Sequence, residues 1–224
     1  MPSIAIVGAG PGMGLAIART FGARGFDVAL IARDSDKLND LTARLEAENI
    51  TAAGFPADVC DHDALTRALK DAAIRFDGTD VLEYSPAGSL HSTTLTAPSE
   101  TDPSDVQWAM QLLLYGAIAA TRAVLPAMRE AKAGTLLYTN GAGSLDPNPM
   151  LGNLNAAQAA LRNWVLALHK ELTGTGVQAA HAAIGVWVGT DGPPGVPAAP
   201  AEEVAPLYWE LHTRRDEAER VFTV

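Results

Sequence analysis

"IAIVGAGPGMGLAIARTFGARGFDVALIARD", residues 4–34, runs from an apolar stretch through a glycine cluster and an amphipathic stretch into a second apolar run. Residues 3–7 read as a strand ending at Val7. Glycines follow at 8, 10, 12 and 14, and a helix begins near Met13. A turn without Cβ atoms lets the main chain approach a ligand closely, and the helix N-terminus offers unpaired N–H groups and a positive dipole end. Both suit a pyrophosphate. A Gly-x-Gly-x-x-Gly reading fails, because Met13 holds the third place, whereas Gly8, Gly12 and Gly14 form Gly-x-x-x-Gly-x-Gly. The setting of strand, turn, helix and strand, closed by Arg33, makes the pattern specific.

The same alternation continues along the chain. Residues 27–32, 80–84, 135–139 and 177–184 read as strands, and the run 50–55 is a less apolar one. Helical spacing occupies 13–25, 35–47, 61–75, 104–130 and 153–173. Strand and helix in alternation imply a doubly wound α/β fold, a parallel sheet with helices on both faces. Strands that are apolar throughout support it. No linker divides the chain, so one domain over residues 1–224 is expected. "GTDGPPGVPAAP", residues 189–200, reads as a surface loop, either a substrate flap or a plain connection.

Hydrophobic residues make up 48% of the chain and charged residues 19%, a globular composition. The net charge of -10 argues against nucleic acid or an anionic membrane as partner. One cysteine, Cys60, cannot form an internal disulfide, which fits a reducing cytoplasm. The start "MPSIAIVGAG" carries no basic segment of a leader, and the apolar run "LLLYGAIAA" breaks at Thr121 and Arg122, short of a membrane span. A soluble cytoplasmic protein is expected.

Several further stretches occur in a fixed order: "ADVCDHDAL" at 57–65, "SPAG" at 85–88, "TRAVLPAM" at 121–128, "TNGAG" at 139–143 and "NAAQAALRN" at 155–163. With the glycine pattern, the chain resembles the short-chain dehydrogenase/reductase family over nearly its whole length. The resemblance implies a Rossmann-type sheet of about seven strands, a bound NAD or NADP, a small carbonyl or alcohol substrate, and a homodimer or homotetramer. Gly8, Gly12, Met13 and Gly14 would then face the cofactor's pyrophosphate. Asp58 and Val59 would touch adenine, and Ser85, Ala87 and Gly88 would lie against its ribose.

Charge bears on the choice of cofactor. An acid after the second strand accepts from the 2′-hydroxyl of NAD, whereas arginine pairs with the 2′-phosphate of NADP. Arg33 stands at that place with Asp34 behind it. NADP is the expectation. The alternative is a solvated Arg33 with Asp34 on the ribose and NAD as cofactor.

The proton chemistry departs from the family. Members usually carry an Asn in the long middle helix, a Ser after the fifth strand, and Tyr-x-x-x-Lys at the next helix start. The matching places here hold Leu113, Asn140 (or Gly141), Leu154 and Gln158. Gln158 could hold a ribose hydroxyl, but it cannot lower the pKa of a phenol, about 10 when unperturbed. Tyr84 or His91 could reach the same pocket from the opposite side. Tyr138 reads as core and Asp146 as a turn residue. His169 lies roughly 22 Å along its helix from Leu154. Asn140, Asn153 and Asn155 could meet a ligand or cap the helix start. Two functions stay open: an NADP-dependent oxidoreductase with an unusual relay, or a nucleotide-binding sensor, regulator or partner subunit. Leu112, Leu113, Leu114, Ile118, Val124, Leu161, Trp164, Val165, Leu168 and Leu172 make the two longest helices apolar around much of their girth, which points to a second subunit covering them.

Overall fold

Alternate residues of the first strand feed two different cores. In β1 (Ser3–Val7), Ile4 and Ile6 pack on one face of the sheet and Ala5 and Val7 on the other, as the two-residue period of a strand requires. The computed structural model describes residues 1–87 and 95–224. Among these, β2 (Asp27–Ala32), β3 (Ala52–Pro56), β4 (Val81–Tyr84), β5 (Gly134–Gly141), β6 (Val177–Ile184) and β9 (Glu219–Phe222) join β1 in one sheet of order β3-β2-β1-β4-β5-β6-β9. Every pairing is parallel. This is the doubly wound Rossmann-type arrangement.

Helices α1 (Met13–Gly22), α2 (Ser35–Ala47), α7 (Ala201–Val204) and α8 (Pro206–Arg214) cover the Ile4 face. The Val7 face is covered by α3 (His62–Phe76), α4 (Pro103–Met110), α5 (Gly116–Ala131) and α6 (Gly152–Glu171). Asp34 caps α2 by accepting from Asp36 N and Lys37 N, and Asp61 caps α3 by accepting from Ala64 N. The strand order reverses between β1 and β4, so a crevice opens outside their carboxyl ends.

The expected elements are present with shifted ends. α1 stops at Gly22 rather than residue 25, and β3 starts at Ala52 rather than residue 50. Strand β9 and helices α7 and α8 were not expected from their residues. The loop at 189–200 is pinned by a short parallel pair, β7 (Trp187–Val188) with β8 (Ala198–Ala199). The helical stretch Pro103–Ala131 is long and apolar enough to cross a membrane by length and composition, which corrects the reading that stopped at Thr121. Thr121 does not break it, because its hydroxyl donates back to Ala117 O at 2.6 Å. Leu112, Leu113, Val124, Leu161, Val165, Leu168 and Leu172 are buried within the chain's own core. They need no second subunit to cover them.

A π turn, Gln111–Tyr115, joins α4 to α5. Gly116 N bonds to Gln111 O there, so Leu112 O lacks its usual helical donor. The Tyr84 hydroxyl supplies one at 2.6 Å. A Cβ at residue 116 would land on that hydroxyl, so the contact needs glycine.

Glu83 lies on the other face of β4 with no exposed surface. It accepts from Ser85 Oγ at 2.8 Å and from Thr139 Oγ1 at 2.9 Å. Burial pushes its carboxyl up to about 8 from an ordinary 4.5. Between those values the folded chain keeps a proton that the unfolded chain has released. Stability therefore falls as pH rises through this window. Urea denaturation across it should show Glu83→Gln removing that part of the slope, and equal slopes in the two proteins would refute the assignment.

Candidate functional site

The crevice at the strand ends is a cleft of about 610 Å³. Its floor is the turn after β1, with Gly8, Ala9, Gly10 and Pro11 among the lining residues. Gly8 N and Ala9 N both donate to Ile31 O, at 2.9 and 3.1 Å, which folds the turn onto the end of β2. Gly8 has φ +95°, and a Cβ there would stand 2.6 Å from Pro86 Cα. Only glycine fits. Helix α1 starts just beyond at Met13, with Gly12 at the cap position offering no side-chain cap and no acid in the first turn. Its free N–H groups and dipole end are available to an anion.

The walls carry charge. Arg33, Asp34 and Lys37 come from the end of β2 and the start of α2, and Asp58 and Cys60 follow β3. Asp34 is engaged as the α2 cap at 3.1 Å from two N–H groups, with Lys37 Nζ 3.4 Å away. The Lys37 main-chain donor holds its carboxyl below the ordinary range. Among the described residues Arg33 has no ion-pair partner within 4 Å. Asp58 Oδ1 accepts from Cys60 N at 2.9 Å, which shapes the turn against the cleft. Burial first, then Asp58, pushes the Cys60 thiol up, so it stays protonated.

Of the residues expected at a cofactor, Gly8, Arg33, Asp58, Val59 and Ala87 line this cleft. Gly12, Met13 and Gly14 belong to the adjoining start of α1, where Met13 packs partly on the core. Ser85 turns its hydroxyl to Glu83. Gly88 and His91 lie outside the described residues. Trp108, Gln111 and Leu112 also line the cleft and were not singled out from sequence. Trp108 and Gln111 stand three apart on one helix face, a signal masked by reading this helix as simply apolar. A second cleft of about 550 Å³, between α3 and α5, holds no part of the glycine turn.

The four proton-handling places lie on β5, the π turn and α6. Leu113 is buried in the core, and Leu154 packs partly against the same core. Asn140 is 7% exposed, donates Nδ2 to Gln158 O at 2.9 Å and faces His181 Nε2 with Oδ1 at 2.9 Å. It is a structural residue. Gly141 is the position whose Cβ would meet the Gln158 side chain, 3.0 Å from Nε2. Neither a phenol, a hydroxyl nor an amine stands at any of the four places.

Tyr84 does not replace the missing phenol. It has no exposed surface, its hydroxyl is engaged by Leu112 O, and burial raises its pKa further. Tyr138 is core, its hydroxyl on Thr121. Asn153 Oδ1 accepts from Thr96 N and Leu154 N, at 3.2 and 3.0 Å, and ties the start of α6 to the segment before α4. Asn155 Nδ2 donates to Asn148 O at 2.7 Å. The helix cap is Leu151, so neither asparagine is the cap. Asp146 lies in an exposed turn, and His169 bonds Ala179 O far down α6. Among the described residues no group of three His, Cys, Asp or Glu side chains could hold a metal.

Comparison with known proteins agrees with this geometry. The family described as short chain dehydrogenase matches residues 2–193. A short-chain dehydrogenase of Pseudocercospora fijiensis is 29% identical over 173 residues, covering 77% of this chain and 55% of that protein. A very-long-chain 3-oxoacyl-CoA reductase of Pyricularia oryzae is 28% identical over 180 residues, covering 77% and 52%. The chain thus spans about half the length of these relatives. L-sorbose reductase from Gluconobacter frateurii, solved with NADPH and L-sorbose, superposes with a TM-score of 0.87 at 20% identity. That match covers 100% of this chain and 94% of the other and establishes the shared fold. With the family match across residues 2–193, the chain belongs to the short-chain dehydrogenase family.

Proposed function

We propose that the cleft binds NADP and that the chain is an oxidoreductase of small carbonyls or alcohols whose proton relay has been lost. The observation that carries this is a contrast within one site. The dinucleotide end has a glycine turn that a Cβ would close, an uncapped helix start and Arg33, which has no ion-pair partner among the described residues. The reacting end holds leucine, glycine and glutamine at its proton-handling places.

The residues present fit the cofactor. A cleft of about 610 Å³ is of the size that ligand sites occupy. The α1 N-terminus would take the pyrophosphate, and Arg33, with Lys37 beside it, the 2′-phosphate. Asp34 is engaged in capping α2, which weakens the case for NAD. NADP supplies the hydride chemistry when bound. Leu154 and Gln158, one turn apart on α6, present an apolar group and an amide where a proton donor is needed. Losing a positioned general acid slows such reactions by about 10²–10⁴-fold. A sensor, regulator or partner subunit is therefore the second reading, favoured by the burial of Tyr84.

Arg33→Ala should weaken NADPH binding by about 1.5–3 kcal/mol, roughly 10- to 150-fold, and leave NADH binding nearly unchanged. Calorimetry with both cofactors checks it, and equal losses would remove Arg33 from the phosphate.

The unmodified protein should turn over ordinary ketones and aldehydes far below the ~1–10³ per second usual for enzymes. Gly141→Ser with Leu154→Tyr and Gln158→Lys should raise reductase turnover by about 10²-fold or more. Gly141 is preferred to Asn140 for the serine, because Asn140 is engaged by His181. Leu154→Tyr alone should do little, since its phenol keeps a pKa of about 10. Rapid turnover by the unmodified chain would place the relay elsewhere.

A homodimer or homotetramer is also proposed. Less than half of the most apolar part of Pro103–Ala131 is buried, and Tyr115 is 42% exposed beside Ile118. Light scattering at micromolar concentration should give a multiple of the 23.4 kDa chain, and a monomer alone would count against it.

A further inference from the structure

His181 stands on β6 with no exposed surface. Nδ1 lies 3.0 Å from Glu219 Oε2 on β9, and Nε2 lies 2.9 Å from Asn140 Oδ1 on β5. The orientation of the Asn140 carboxamide is not free, because its Nδ2 donates to the main-chain carbonyl of Gln158. A carbonyl can only accept. Asn140 must therefore show its oxygen to the imidazole, and Nε2 must carry a proton.

The other nitrogen faces an acceptor as well. Arg162 donates to both oxygens of Glu219, one bond at 2.8 Å, and holds that carboxyl below its ordinary range. Glu219 is thus a carboxylate, and Nδ1 must also carry a proton. All of these contacts close together only around an imidazolium. Burial acts against that charge and lowers the His181 pKa, with Glu219 opposing and Arg162 adding to the effect. The titratable groups facing the ring are Glu219 from β9 and Arg162 from α6, with Tyr138 in register beside it on β5.

When the ring gives a proton to water, the bond to the carboxylate is the one it keeps, since charge-assisted hydrogen bonds are the stronger. Nε2 then turns a lone pair on Asn140 Oδ1. Rotating the amide only moves the conflict to the Gln158 carbonyl. We infer that His181 is a proton-linked positioning residue: its imidazolium clamps β5, β6, β9 and the 158–162 turn of α6 together, and its neutral form releases Asn140. Because Asn140 precedes Gly141, and the Gln158 side chain lies against Gly141, the proton sets the geometry beside the reacting end. This holds whether or not the chain catalyses a reaction.

The test is NMR on the ¹⁵N-labelled full chain from about pH 4.5 to 8.5, a range that brackets imidazole titration. The ring nitrogens of His181 and the side-chain amide of Asn140 should move with one midpoint, Nε2 losing its proton and Nδ1 keeping it. Glu219→Gln should lower that midpoint by about one pH unit, a tenfold loss of proton affinity, and Arg162→Gln should raise it. The inference is overturned if the Asn140 amide stays still while His181 titrates, if the ring holds one state throughout, or if both variants shift the midpoint the same way. Should Glu219→Gln not fold, the wild-type titration and the rise with Arg162→Gln decide the matter.

Discussion

A parallel sheet covered on both faces keeps water from the polar groups inside it, so a group left without a protein partner there is costly. Four such groups near the ends of the middle strands show how partners are found. Tyr84 donates to the carbonyl that the π turn leaves open. Glu83 is held by two hydroxyls on the opposite face. Asn140 and His181 answer each other and anchor the last strand through Glu219. Leaving one member of such a set unpaired costs about 1–3 kcal/mol, comparable to a sizeable part of a domain's net stability. Tyr84, Asn140 and His181 are thereby held by partners within the protein.

This explains which parts of the molecule were legible in the sequence. The strands at 3–7, 27–32 and 177–184 are apolar runs bounded by turn residues, and each is observed over those residues. The helix at 35–47 announces itself by Asp34 before an amphipathic stretch. Strand β9 did not, because Glu219 and Arg220 in a four-residue edge strand look like solvated charge. Glu219 is instead drawn inward by His181 and Arg162, contacts that exist only once β6 and α6 have met it. Tyr84 was misplaced for a related reason. Its position at the strand end was correct, but the direction of its hydroxyl depends on a carbonyl freed 28 residues later.

The site divides along the same line. Its dinucleotide end is built mainly from main chain and from side chains next to a glycine turn, so local sequence describes most of it. Trp108 and Gln111 escape that description because they reach the cleft from a helical segment distant in sequence, which packs on α6. The reacting end is a matter of single side chains on β5, the π turn and α6, and there the match to the family shows what is missing without showing what fills the space.

What fills it is a packed interface. Leu154 packs partly against the core, Gln158 lies along the 141–143 segment, and a Cβ at Gly143 would collide with Asn155. The glycines at 141 and 143 make room for these amide side chains, so the replacements fit one another. A site that had merely lost a tyrosine would leave a gap, and a gap costs stability in proportion to its volume. Here the start of α6 is instead held by Asn153, Asn155 and the Asn140 bond to Gln158. The Asn140–Gln158 bond joins two of the places that match the family's usual serine and lysine. It holds α6 against the end of the sheet.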